Sequence, residues 1–329
     1  MAGDPLRSLL LPRKPMEAAG LSPMQLKRNL LIVSALLLSF LLFANNENGQ
    51  SPPVGSAPQK AEIIPTRTVK SEPPKNFRLL QGDEFLVETA YLQDESDFLH
   101  RFTFARMGHR TWSSVFTEEI TLGNEKQNLV FLIPAHLAGT GTQKSRGFGD
   151  AEIEYSYGLY GNGSSRVTIS PGIGLSLPIG SVRKELGSGG TGLSFKLPVS
   201  VAITDRFASN SIVEFCYTKS ARNSDDERAN TTGYAVGQSF VWFAKPKLNF
   251  FVEALWERSQ EVTGPGSTVN NHSFLVSPAV RWAYEFKSGL TVSPGVAIPI
   301  GLGPSRGENN IVFYIAFSHP IRRRNDEIK

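Results

Sequence analysis

The sequence predicts an all-β chain, an up-and-down antiparallel transmembrane β-barrel of about twelve strands. Three observations lead there. Apolar and polar residues alternate with a period of two from about residue 147 to residue 318, the spacing that places successive side chains on opposite faces of a strand. The alternating segments run about 9 to 12 residues. A hydrocarbon band about 25 Å tall, crossed at roughly 40°, needs about 10 residues, whereas soluble sheets average about 5–6. Finally, short turns alternate with long polar loops along the chain, as in a meander with one tight and one open end.

The elements follow in order. "LLIVSALLLSFLLFA" (30–44) comes directly after Lys27 and Arg28. It is shorter than the roughly 20 residues of a spanning helix and suits the apolar core of a signal peptide. Residues 1–44 are therefore expected to be an N-terminal extension and signal peptide, with initiation at Met24, from which the segment reads as a typical signal. Residues 45–82 hold Pro52, Pro53, Pro58, Pro65, Pro73 and Pro74 among polar residues and read as a flexible linker. The barrel is assigned to 83–320 and a charged C-terminal tail, with "RRR" at 322–324, to 321–329.

Within the barrel, strands with weaker alternation are expected at 84–92, 98–106, 110–121 and 127–137. Clear ones follow at 149–159, 193–204, 209–218, 248–258, 276–286 and 311–318, with 233–243 intermediate. Two more are nearly repeated: "SPGIGLSLPIG" (170–180) and "SPGVAIPIG" (293–301). The second copy is two residues shorter, and because two is the side-chain period of a strand, both copies keep the same faces. Short turns are expected at 160–165, 204–206, 244–247 and 286–289, and long loops at 180–192, 219–231, 259–271 and 301–310. Pro171, Pro178, Pro198, Pro278, Pro294 and Pro299 lie in or beside these strands, where each removes a ladder donor, so strand ends or bulges are expected at them.

The polar face decides between a barrel and a soluble sandwich. It is mostly Ser, Thr, Gly and Ala with occasional carboxylates, while the opposite face is continuous and aromatic. A sandwich would carry more Lys and Arg on its wet face. The residues expected to line the lumen are Glu152, Glu154, Arg166, Lys196, Glu214, Glu253, Glu257, Arg281 and Glu285. Tyr217, Trp242, Trp256, Trp282 and Tyr284 are expected at the membrane interfaces.

No chemistry-bearing motif emerges. A net charge of +4 with scattered Lys and Arg gives no nucleic-acid footprint, and a single cysteine, Cys216, excludes an intramolecular disulfide or a cysteine-based zinc cluster. None of His100, His109, His136, His272 and His319 has metal-ligand spacing. In "NNHS" (270–273), His272 and Ser273 are strand neighbours and point to opposite faces. "SDDE" (224–227) reads as a solvated loop tip, and "GSGGTG" (187–192) lacks the lysine of a phosphate loop. Catalytic residues, metals and cofactors are therefore expected to be none.

"GFGDAEIEYSYGL" (147–159), "SPGIGLSLPIGS" (170–181), "GSGGTG" (187–192) and "VSVAITDRF" (199–207), with the final aromatic strand, resemble the meta-pathway phenol-degradation family. The likeness spans roughly 84–320 and is strongest from 147 onward. It implies an outer-membrane β-barrel of a Gram-negative cell and transport of aromatic compounds. The chain departs from the usual pattern at its end, where twelve residues follow Phe317, the aromatic that would close the barrel. The expected function is an outer-membrane pore or facilitator for small molecules, without covalent chemistry. Its expected partners are the lipid bilayer, a small-molecule solute and the barrel-assembly machinery, with no nucleic acid. The alternatives are a closed structural or sensory barrel binding a periplasmic partner and, behind it, an outer-membrane hydrolase needing His and Ser within hydrogen-bond reach inside or at the mouth.

Overall fold

The structure is a computed structural model and describes residues 85–92, 97–107, 111–122, 126–140, 143–162 and 165–320. The expected signal peptide, linker and charged tail lie outside the described residues. Twelve antiparallel strands form one closed ladder. They are β1 (Asp97–Met107), β2 (Thr111–Thr121), β3 (Gln127–Thr140), β4 (Gln143–Phe148 and Ala151–Tyr157) and β5 (Val167–Ile169 and Gly172–Leu177). Next come β6 (Thr191–Thr204), β7 (Phe207–Arg222), β8 (Arg228–Lys245), β9 (Leu248–Gly264) and β10 (Ser267–Trp282 and Tyr284–Glu285). The last two are β11 (Thr291–Ala297 and Ile300–Gly301) and β12 (Asn310–Pro320). Each strand pairs with its sequence neighbour, and β12 returns to β1 from Asp97↔Pro320 to Met107↔Asn310, which closes the sheet and abolishes its edges. The two near-repeats fall on β5 and β11, six strands apart and so across the barrel from each other.

Prolines sit in or opposite three of the four breaks in these strands. Pro171 and Pro299 sit in the gaps of β5 and β11, and Pro178 follows the end of β5. Pro198, Pro278 and Pro294 lie inside strands, opposite Ile212, Val252 and Ile315. Their other neighbours are the interruptions of β5, β11 and β10, so each missing N–H faces a place where the ladder is already open.

Two expectations fail. Residues 85–92 do not form a strand: they run irregularly through the inside of the barrel, with Phe85, Leu86, Val87, Thr89, Ala90 and Tyr91 all buried. Their apolar residues occupy both faces of the segment, so alternation there had no solvent boundary to mark. The loops expected at 219–231 and 259–271 are mostly strand. β7 and β8 meet at a turn over 223–227, and β9 and β10 at 265–266. These extensions carry polar residues on both faces, such as Thr231, Thr232, Gln260, Asn270 and Asn271, because they rise beyond the apolar band into water. The loops at 178–190 and 302–309 remain loops, each with one 3-10 turn.

The rim that carries turns 205–206 and 246–247 also carries residue 97 and residue 320, and is termed the lower rim. On the outer face, Phe207, Trp242 and Phe250 stack in a row near it, with ring centroids 6.4 and 5.6 Å apart. A second row, Tyr234, Trp256 and His272, lies toward the upper rim, at 5.5 and 6.0 Å. Trp242 and Tyr234 belong to one strand and are eight residues apart (242 − 234). At about 3.4 Å per residue and a tilt near 40° that is roughly 20 Å along the axis, close to the height of a hydrocarbon core. Between the rows stand Val213, Phe240 and Val252, all exposed, and Phe215 lies beside Tyr234.

Candidate functional site

The lumen is the candidate site, and its wall has two zones. Along β4 to β7 it is charged. Glu152 and Glu154 of β4, Lys196 of β6 and Glu214 of β7 all point inward and are buried. Lys196 is in register with Glu214 and donates to Glu154 across the lumen wall. Its ammonium also reaches Glu88 of the interior segment at 2.8 Å. Glu152 accepts a hydrogen bond from Ser194 at 3.2 Å, and the Cys216 thiol donates to Glu214 at 3.3 Å. Three or more carboxylates around one lysine leave this zone acidic. The inward glycines of β5 make the room: a Cβ on Gly174 would stand 2.7 Å from Glu152 Oε1, and one on Gly172 2.7 Å from Lys196 Cε.

From β8 round to β1 the inner wall carries an apolar cluster set among polar residues such as Asn249, Glu253, Ser277 and Arg281. Leu99, Val241, Phe243, Phe251, Leu255, Leu275, Val312 and Tyr314 face inward and pack with Phe85, Leu86 and Val87 as one buried cluster. The Phe85 ring meets Phe251 edge-on at 5.8 Å and Tyr314 at 4.8 Å. Gly295 and Gly237 form the seat: an added Cβ would lie 2.7 Å from Phe85 Cζ at the first and 2.9 Å from Val87 Cγ2 at the second. Sequence reading gave the inner face as small and polar and missed this cluster. Its signal was present, since inward Ile212, Phe251, Leu255 and Leu275 break the hydrophilic alternation, but only a segment inside the lumen explains them.

Hydrogen bonds fix that segment. The backbone N–H groups of Phe85, Leu86 and Val87 donate to the Glu253 carboxylate at 3.4, 3.1 and 3.3 Å. Further along, the Ala90 N–H donates to Ser200 Oγ at 2.8 Å, Thr89 and Ser200 share a hydroxyl contact at 2.9 Å, and Ser170 Oγ donates to the Ala90 carbonyl at 2.6 Å. Backbone amides buried without partners are costly, so a carboxylate accepting three of them holds the chain firmly in place. One segment is thereby tied to β5, β6 and β9.

The remaining sequence-selected residues are placed as follows. Arg281 of β10 is fully buried, with its guanidinium 5.2 Å from the Phe251 ring. Glu257 of β9 is buried beside Ser273. Arg166 stands exposed just before β5, and Glu285 is exposed at the lower rim, paired with Lys247 at 2.9 Å. These two share the inward parity but lie beyond the wall, because the strand ends there. Tyr217, Trp242, Trp256, Trp282 and Tyr284 all point outward, Trp242 and Tyr284 exposed at 45% and 59%.

Two loops shape the upper mouth. Asp150, in the gap of β4, accepts from Gly180 N–H at 2.9 Å and from Ser188 N–H and Oγ at 2.6 and 2.7 Å, which folds loop 178–190 inward. Ser305 of loop 302–309 bonds Ser273 Oγ at 3.0 Å and accepts from Phe274 N–H at 3.2 Å. In the same loop, burial pushes the Glu308 carboxyl up to about 7. His272 points out and Ser273 in, as their adjacency requires. A different pair does meet: Ser113 Oγ lies 2.5 Å from His136 Nδ1 on the inner face, both buried, at 2% and 7% exposure.

No family model matches the chain, and no curated protein matches it in sequence. Among solved structures it is similar to an outer-membrane channel from Pseudomonas putida F1, at 11% identity and a TM-score of 0.49, covering 68% of this chain and 93% of that one. NanC porin is similar at 10% identity and a TM-score of 0.45, over 68% of this chain and 98% of its own. CymD, a monoaromatic hydrocarbon channel, is similar at 10% identity and a TM-score of 0.34, over 71% and 90%. The twelve-strand closure rests on this chain's own ladder.

Proposed function

We propose that the chain is a pore or facilitator for small molecules in the outer membrane of a Gram-negative cell, closed at rest by its own residues 85–92. The observation that carries this reading is an inside-out barrel: an outer apolar band bounded by aromatic rows, and an inner wall whose charges and hydroxyls engage one irregular interior segment. Lipid touches the outer band, and the solute path follows the lumen when the segment moves. Carboxylates dominate the charged zone, so cations and neutral polar solutes are favoured over anions. The likeness of 147–207 to the meta-pathway phenol-degradation family directs the solute class to aromatic compounds, and the apolar zone around Phe251 and Tyr314 suits a ring. The chemistry is passage without covalent steps, and the barrel-assembly machinery inserts the chain.

The occupied lumen also favours a second reading, a closed structural or sensory barrel whose N-terminal stretch binds a periplasmic partner. Proteoliposomes separate the two. With the pore, Glu253→Gln weakens the hold on residues 85–87 and raises uptake of an uncharged phenol-sized solute above wild type. Equal, background-level uptake for both proteins, each inserted and heat-modifiable, supports the closed barrel instead.

A further inference from the structure

The outer face of the closing seam brings together two histidines that the sequence holds 219 positions apart. His100 of β1 and His319 of β12 both point outward at the lower rim, one step diagonally across the ladder, since His100 pairs with Phe317 and Phe98 with His319. Their Nε2 atoms face each other at 3.0 Å. The other ring nitrogen of His100, Nδ1, lies 2.5 Å from the Glu118 carboxylate of β2. That contact places the proton of His100 on Nδ1 and turns a lone pair on Nε2 toward His319. Phe98 steadies both rings, stacking on His100 at 6.1 Å and leaning on His319 at 5.7 Å.

We propose that His100 and His319 form a two-nitrogen site for a divalent first-row cation, Zn2+ foremost, that staples the last strand of the barrel to the first. Imidazole nitrogens sit about 2.0–2.1 Å from zinc, so two of them sharing one ion at angles between about 90° and 109° stand roughly 2.9–3.4 Å apart. The observed 3.0 Å falls within that range, so binding asks only that each ring tilt to aim its Nε2 lone pair at the shared ion rather than along the N···N line. A carboxylate on the far nitrogen of a ligating histidine is the usual outer partner, fixing tautomer and ring angle and raising basicity. Glu118 occupies that position. Among the described residues no three metal-ligating side chains converge on one point, so water completes the coordination sphere. The His100 side chain is about one-third exposed, which leaves the ion a path in. Without an ion, the same spacing holds an N–H···N hydrogen bond from His319 to His100; on zinc binding that proton moves to His319 Nδ1, so the ring stays neutral and its Nε2 becomes a ligand. Along the ladder His100 is in line with Tyr284 through Phe317 and Val292, and His319 lies two residues nearer the strand end.

Full-length chain without a polyhistidine tag, folded in detergent micelles, is titrated with ZnCl2 in a calorimeter. One ion per chain is expected. His100→Ala and His319→Ala abolish this event, Glu118→Gln weakens it by about tenfold or more, and His272→Ala, at the other rim, leaves it unchanged. His319→Gln serves as a second variant, keeping a polar side chain on β12 while removing the imidazole. As an independent readout, Zn2+ raises the temperature at which the heat-modifiable band converts to the unfolded one in wild type, and not in the His100 or His319 variants. No zinc uptake by the folded wild type, or equal uptake by wild type and both histidine variants, overturns the proposal.

Discussion

The outer and inner faces of this barrel are made by the same twelve strands, yet they obey different rules. Each outer residue has one requirement, to be apolar between two aromatic rows, and its partner is a liquid. Key inner residues have specific partners: Lys196 has Glu154 and Glu88, Glu253 has three amides, Gly295 has the Phe85 ring. The outer face is therefore tolerant of exchange and the inner face is not. Chain composition alone describes the first, whereas the second depends on residues that meet across large sequence distances.

The comparison can be broken most forcefully at Lys196. Removing one member of a buried ion pair costs about 3–5 kcal/mol, so Lys196→Met should lower stability in denaturant titrations of the micellar protein by that order. Its outer-face neighbour Leu197, by contrast, should accept Met with little change. A loss below about 1 kcal/mol at Lys196 would mean that water fills the charged zone and screens it.

An outward charge tests the other face. Val252→Arg, between Phe250 and Trp256, should approach the about 2–4 kcal/mol of an arginine at the bilayer midplane, measured by equilibrium unfolding in lipid vesicles. Val252→Leu should be near neutral. If arginine is as benign as leucine, the band does not face acyl chains.

A smaller effect is expected where the inner face leaves room. Gly295→Ala sets a methyl 2.7 Å from Phe85 Cζ and 2.9 Å from Tyr314. Overpacking of this kind costs about 1–3 kcal/mol, and it should fall on the interior segment rather than the ladder. Faster proteolysis within 85–92, with an unchanged heat-modifiable band, is the expected outcome.

The smallest effect concerns the upper mouth. Glu308 titrates at about 7 in the folded chain, above its ordinary value of 4.5. A raised carboxyl favours the protonated form, so order in loop 302–309 is greatest at acid pH and declines as pH rises from about 4.5 through about 7. Trypsin cleavage after Arg306, scaled to that of denatured chain, should be slower at pH 6 than at pH 8. Glu308→Gln should remove the difference.

Legibility in the sequence follows the same division. Strands such as 151–157 and 191–204 alternate between a uniform solvent and a wall, so period two is visible; it leaves twelve or thirteen segments, and the even number usual for such barrels selects twelve. Proline positions announced the interruptions of β5 and β11, though Pro198 and Pro278 mark them from the neighbouring strand. Residues 85–92 were unreadable because both faces of the segment are buried and its amides bond a side chain, Glu253, more than 160 positions away. The extensions of β7–β10 were taken for loops because their two faces are equally polar above the band. The acidic lumen residues could be selected one by one; that Arg166 and Glu285 fall at the rim depends on where strands stop, which alternation does not encode.

The central claim, that a membrane-spanning barrel is stopped from within by its own chain, is tested most directly by single-channel recording in a planar bilayer. Wild type and a chain lacking Phe85–Tyr91 are compared after both pass the heat-modifiability check. The account predicts a closed or barely conducting wild type and discrete, cation-favouring steps from the deletion. Identical conductance in the two proteins, open or silent, would contradict it.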